Sequence, residues 1–435
     1  MGFERIPGTD VEYGLISFDA DGKERPEGAA LMSQRLIDKV KRDAITNVFF
    51  FCHGWKGDLP AARDQYNRWI GAFARAPERQ RAATVFPNFA PLFIGLHWPS
   101  QPWGDEELGG GAFGAPEVAV SSDALLRSYL ERLGDRPEIR RPLEIIINEA
   151  RTNVAPEELS PQVRQAYLDL NQALGLGSAG VTGPPDADRE AFDPEAAFEA
   201  ANEAGASFGG INLGSLLEPL RGLSYWTMKK RGRSVGEGGM HAFLKDLQHA
   251  TNARVHLMGH SFGTIVVSGM LGGPNARGPL VRPVDSVALV QGAVSLWCYA
   301  NTIPFGHGGA GYFNPILGDR KVSGPMIVTR SRHDSAVGVF YPLASQVKGS
   351  ASFDPQSLPE FGAIGTFGIQ GTADGVRNEL KMLPADGPYT LEKGKIYNLE
   401  SSQFIAKKEG PSGAHSDIAG PEVAHAIWSA AFASA

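Results

Sequence analysis

The chain has 435 residues, 42% hydrophobic and 20% charged, which is ordinary globular composition. It is long enough to bury a large core, as one elaborated domain or as a core carrying a substantial insertion. A net charge of −7, with no basic block beyond Lys229-Lys230-Arg231-Gly232-Arg233, argues against a nucleic-acid partner.

Two cysteines, Cys52 and Cys298, offer neither a disulfide framework nor a metal-ligand set, and buried free thiols are expected. The opening MGFERIPGTDVEYG lacks a charged stretch followed by an apolar one, so no signal peptide is expected. Ile6 stands where a myristoylation signal needs Ser or Thr. No apolar run reaches the roughly 18 residues of a membrane span. The default expectation is a soluble, cytoplasmic protein.

In chain order, Val11–Asp19 is an expected first strand, and Ala29–Arg42 an amphipathic helix with Leu31, Leu36, Ile37 and Val40 on one side. Thr46–Cys52 is a continuous apolar run, the pattern of a strand covered on both faces of a parallel sheet. Ala61–Arg75 reads as helix and Leu92–Trp98 as the next buried strand. From residue 100 to 215 the character changes. Gly-rich loops alternate with helical segments at Glu117–Leu133, Glu138–Arg151, Pro161–Leu174 and Pro194–Ala204, and none looks like a sheet strand. That pattern predicts a helical cap inserted between strands.

Leu216–Lys230 predicts a helix returning to the core, with its regular part starting near Pro219, because proline fits only a first turn. Its aromatic pair Tyr225-Trp226 suits core packing or a substrate wall. Gly239–His249 is an expected helix, Ser286–Val294 and Pro325–Arg330 buried strands, and Lys395–Leu399 the last strand. Pro421–Phe432 is the closing helix.

The chemistry concentrates at Arg254–Ile265, RVHLMGHSFGTI. A β-rich run meets Gly259-His260-Ser261-Phe262-Gly263, then a helix of small apolar residues. Glycines two before and two after the serine permit a tight strand-to-helix turn that holds the hydroxyl out. The same spacing recurs at Ser207 and Ser234, but Ser207 follows a helical run and Ser234 a basic one. Ser261 is therefore the candidate nucleophile.

A serine hydroxyl needs a base, and the base a third group to orient it. Of ten histidines, His415 alone lies in a loop after the last strand and before the closing helix. His241, His249 and His425 fall within helices, and His260 is too close in sequence to fold back on Ser261. Asp334 follows a buried strand at the same sheet edge and is the candidate acid. Asp417, two residues past His415, is expected to cap the closing helix or its approach. The run ending in His53-Gly54-Trp55 lies where a strand end could present the Trp55 amide to a carbonyl oxygen gaining charge; a structural His53 is the plain alternative.

The GHSFG turn, the HGW strand end, Asp334 and His415 resemble the α/β-hydrolase superfamily in role and order. The likeness covers roughly Thr46–Ser100 and Leu216–Ala435. The segments SYWTMKKRGRSVGEGG, SRHDSAVG and GAHSDIAGPEVA are similar to uncharacterised hydrolase-like proteins of that superfamily. The resemblance implies a mostly parallel eight-strand sheet flanked by helices. It also implies a Ser261-His415-Asp334 triad, oxyanion amides from Trp55 and Phe262, and no cofactor. The core would be residues 1–99 and 216–435, the cap 100–215. His53, His260, Trp98, Tyr225 and Trp226 are candidates for the substrate pocket, and no metal site is expected.

The expected activity is hydrolysis of a small-molecule or lipid carboxylic ester through an acyl-enzyme. A lipase or phospholipase with the insertion as an interfacial lid is the nearest rival, and thioesterase, amidase and acyltransferase chemistry share the triad. A non-catalytic binding protein on the same fold is the rival of another class. Oligomeric state is not legible.

Overall fold

The computed structural model describes residues 3–26, 28, 30–54, 59–100, 121–153, 158–200, 214–306, 308–340, 358–408 and 412–435. Nine strands form one sheet: β1 (Glu4–Arg5), β2 (Glu12–Ser17), β3 (Asn47–Cys52), β4 (Pro91–His97), β5 (Arg254–His260), β6 (Ser286–Val290), β7 (Met326–Arg330), β8 (Arg377–Lys381) and β9 (Ile396–Glu400). Their spatial order is β1-β2-β4-β3-β5-β6-β7-β9-β8. Only β1 against β2 is antiparallel; every other pair is parallel.

The apolar runs explain the layers. Every residue of β3 is buried, and its side chains alternate between two cores. Val48 and Phe50 join a cluster with α1 (Met32–Arg42), α8 (His241–Ala250) and α9 (Gly263–Gly272). Phe49 and Phe51 join one with α2 (Leu59–Arg75) and α10 (Pro421–Phe432), where the Phe73 and Trp428 rings stack 4.0 Å apart. Helices thus cover both faces, as the alternation of strands and helices predicts.

Three departures have local causes. The sheet holds nine strands, not eight, and neither edge strand is legible in the sequence: β1 has two residues, and β8 reads RNELK, with its last four residues exposed, joining the edge by backbone pairing that leaves no apolar mark. The helix α3 (Glu78–Val85) buries only Glu78 and Ala82, so it shows no stripe. The helix α7 (Gly214–Val235) starts five residues ahead of Pro219, which lies inside it. It then runs through a π-helical stretch, Gly236–Met240, into α8. There, a Cβ on Gly236 would stand 2.5 Å from the Val266 carbonyl oxygen of α9. The glycine permits the backbone of this stretch to pack directly against that of α9.

Among the described residues of the insertion, α4 (Ser122–Leu133), α5 (Pro137–Thr152) and α6 (Pro161–Ala173) are helices, and no strand occurs. Their buried Tyr129, Leu143, Ile146 and Tyr167 belong to the same cluster as Leu220 and Trp226 of α7 and the sheet residues beneath. Charge fastens the end of this layer. Asp188 meets Lys229 at 2.6 Å with both side chains buried, and Asp186 takes two bonds from Arg233, at 2.5 and 3.0 Å. Lys229 and Arg233 are four apart on α7, so one helix face receives both carboxylates.

Both cysteines are buried and free. Among the described residues, no helix is long and apolar enough to cross a membrane.

Candidate active site

β3 and β5 are neighbours, with Cys52 opposite Gly259. The chain leaving β3 next forms β4 on one side, whereas the chain leaving β5 forms β6 on the other. That reversal is a topological switch point at the carboxyl ends of the two strands, the position where ligands of open α/β sheets bind. His53-Gly54 reaches it from β3 and Ser261 from β5.

Ser261 has φ +56°, a left-handed conformation uncommon for a residue with a Cβ. Backbone bonds hold it there. Its N–H donates to Val290 O (3.1 Å), and its carbonyl accepts from Ala293 N–H (3.2 Å), Thr264 N–H (3.1 Å) and Thr264 Oγ1 (2.6 Å). A Cβ on Gly259 would stand 2.5 Å from Gly263 O, and one on Gly263 would stand 2.8 Å from His53 O. Both glycines are needed because backbone fills the space a side chain would take. Gly54 is tighter still. A Cβ there would overlap that of Ser261 and stand 2.9 Å from its Oγ.

The Ser261 hydroxyl is buried without a hydrogen-bond partner, and so is His415 Nε2. On its other side the His415 ring is engaged: Nδ1 donates to Asp334 Oδ2 at 2.7 Å. The loops carrying these two residues are joined by backbone, with Ala414 N–H donating to His333 O at 2.8 Å. Gly413, at φ +61°, permits that approach, since a Cβ would strike the His333 carbonyl.

Sequence reasoning missed Gln291. It follows β6 with φ +46°, and its amide donates to the same Asp334 Oδ2 at 2.8 Å. Thr329 orients it, donating through Oγ1 to Gln291 Oε1 (3.0 Å) and accepting from Gln291 N–H (3.0 Å). Val337 N–H reaches Asp334 Oδ1 at 3.2 Å. Three donors thus fix the carboxylate. The available signal was a polar residue, followed by glycine, interrupting the apolar run SVALVQGAV; β6 ends just before it.

The five pocket candidates are all buried and packed against one another or the residues around the site. His53 donates from Nδ1 to Gly54 O (2.9 Å), its N–H donates to Tyr66 Oη (3.0 Å), and Nε2 accepts from His97 Nδ1 (3.2 Å). Burial, then His97, pushes His53 down to about 3; burial takes His97 to about 4. Trp98 stacks on His53 and its indole N–H donates to His53 O at 3.1 Å. Trp226 lies beneath Lys229 Nζ at 4.1 Å, inside the α7 packing. Tyr225 meets the Phe262 ring edge to face at 4.9 Å. His260 packs beside His415, with ring centroids 4.7 Å apart.

Phe262 is buried at the N-terminus of α9, directly after Ser261. Trp55 lies outside the described residues, as does Ser207; Ser234 is within α7. Asp417 does not cap α10, whose N-cap is Gly420; its Oδ2 accepts from Ala406 N–H (3.0 Å) and Lys407 N–H (2.8 Å). Among the described residues, no three His, Cys, Asp or Glu side chains gather as a metal site.

Comparison of the chain with family models, with curated proteins and with solved structures yields no match in any of the three.

Proposed function

We propose that this chain is a serine hydrolase of the α/β-hydrolase type, cleaving a carboxylic ester through an acyl-enzyme. The observation that carries the reading is Ser261, held at positive φ at the topological switch point with the buried Asp334–His415 pair at the same sheet edge. In the proposed cycle His415 Nε2 takes the Ser261 proton as Oγ attacks the carbonyl carbon. Asp334 holds the imidazole and balances the charge it gains. The Phe262 amide, at a helix N-terminus, faces the carbonyl oxygen as it becomes an oxyanion. The Trp55 amide is the second donor of this proposal, because β3 brings the preceding Gly54 against Ser261. His415 returns the proton to the leaving alcohol, then activates water to release the acid.

At rest Ser261 Oγ and His415 Nε2 are not hydrogen-bonded to each other, and such contacts often form only when substrate is bound. Within residues 100–215, which the lipase alternative would use as an interfacial lid, Asp188 and Asp186 are paired with Lys229 and Arg233 of α7.

A fluorophosphonate probe with peptide mass spectrometry tests the proposal. Label is expected on Ser261 of the wild type and none on Ser261→Ala. A folded wild-type protein that takes no label, or takes it at Ser207 or Ser234, sinks it. Short and long p-nitrophenyl esters then separate an esterase from a lipase.

A further inference from the structure

The cycle above leaves His260 without a part, though it is buried between its two actors. It ends β5, next to the nucleophile, and its Nε2 lies 2.9 Å from the main-chain carbonyl of His415. A carbonyl oxygen only accepts, so Nε2 carries the proton and Nδ1 the lone pair. Nδ1 is buried with no hydrogen-bond partner. The edge of Trp69 fixes the ring on another side, with centroids 5.1 Å apart at 71°.

Two other ties on the His415 loop face the acid, with Ala414 N–H bonding the His333 carbonyl and His415 bonding Asp334, while Asp417 two residues on is tied to Ala406 and Lys407. The His260 bond runs to the nucleophile's strand instead. We infer that His260 is a positioning residue for the base, holding the backbone of His415 from the strand that presents Ser261, so that one hydrogen bond sets hydroxyl and imidazole in register. The inference rests on the hydrolase reading for its catalytic consequence, but the contact itself does not.

A neutral ring suits this work. Burial, then the neighbouring His415, holds His260 well below the ordinary imidazole range. A cation at this position would oppose the charge His415 gains on taking the serine proton.

The test compares His260→Leu with His260→Gln, whose side-chain amide can donate from nearly the place of Nε2. Three readings are taken: thermal unfolding, the rate of fluorophosphonate labelling, and the downfield proton resonance of His415 Nδ1–H in the resting protein. H260L is expected to label on the order of 100-fold slower, with that resonance broadened or shifted, while H260Q recovers about tenfold of the loss and a sharp signal. Should H260L not fold, His260→Asn replaces it, since the shorter amide cannot reach the carbonyl. Wild-type labelling and an unchanged resonance in a folded H260L overturn the inference, and so does equal impairment in H260L and H260Q. If the wild type takes no label the hydrolase reading falls, and the resonance alone decides whether His260 holds the base.

Discussion

At the scale of single residues, the hydroxyl of Ser261 is shaped as much by what is missing at Gly54 as by the turn that carries it. Replacing Gly54 with alanine puts a methyl group on the Ser261 Cβ, 2.9 Å from Oγ and 2.7 Å from His260 O. Neither neighbour can yield readily, because Ser261 is held through its own N–H and carbonyl and His260 through its bond to His415. Overpacking of this kind costs about 1–3 kcal/mol. Gly54→Ala is therefore expected to lower the unfolding midpoint modestly. Displacement of the hydroxyl and of the strand end together should slow labelling of Ser261 on the order of 100-fold. Labelling at the wild-type rate in a folded G54A would mean that β3 does not bound the reacting serine.

Among secondary elements, α7 is the one that couples the insertion to the site. It carries Lys229 and Arg233 to the carboxylates of Asp188 and Asp186, and Tyr225 to the ring of Phe262. Burial lowers the Lys229 ammonium from its ordinary range, with Asp188 opposing that shift. Asp188→Ala would take the carboxylate from a fully buried cation, a loss of about 3–5 kcal/mol in such settings. Urea unfolding should show that loss, and the double change Asp188→Leu with Lys229→Met should recover most of it, since hydrophobic replacement of a buried pair is often neutral. A D188A protein as stable as wild type would mean the pair does not fasten the insertion. This element also marks where sequence reading stops. The apolar runs of β3 to β7 and the small-residue helix after Ser261 announced themselves, because burial on both faces leaves a continuous hydrophobic record. Asp334 and His415 could be selected by their place after buried strands. Gln291 could not, since its role depends on a side chain turning across the sheet to Asp334. Nor could the Asp188–Lys229 pair, 41 residues apart and legible only once packed. Strand β8 escaped because an exposed edge is written in backbone bonds alone.

For the molecule as a whole, the buried imidazoles set how stability answers to pH. His53 and His97 lie at the carboxyl ends of β3 and β4, while His256 sits within β5 between Asn47 and Ser286. Burial, with His97 second for His53 and Arg254 second for His256, brings both down to about 3, and burial brings His97 to about 4. In the unfolded chain the same rings take a proton near pH ~6.5. Well above that value neither state is protonated, and the three rings contribute no pH dependence. As pH falls below it, the unfolded state binds protons that the folded state refuses, so stability is lost until the folded rings titrate. Each ring can contribute up to about 1.4 kcal/mol per pH unit to that slope. Urea midpoints should therefore be nearly flat above about pH 7 and fall steeply between about pH 6 and pH 4. His256→Gln isolates one share of the effect away from the proposed catalytic site. Its fall should be shallower by up to about 1.4 kcal/mol per pH unit, even if the variant is less stable at neutral pH. A wild-type profile that stays flat through pH ~5 would mean that these rings gain their protons in the folded sheet as readily as in the open chain.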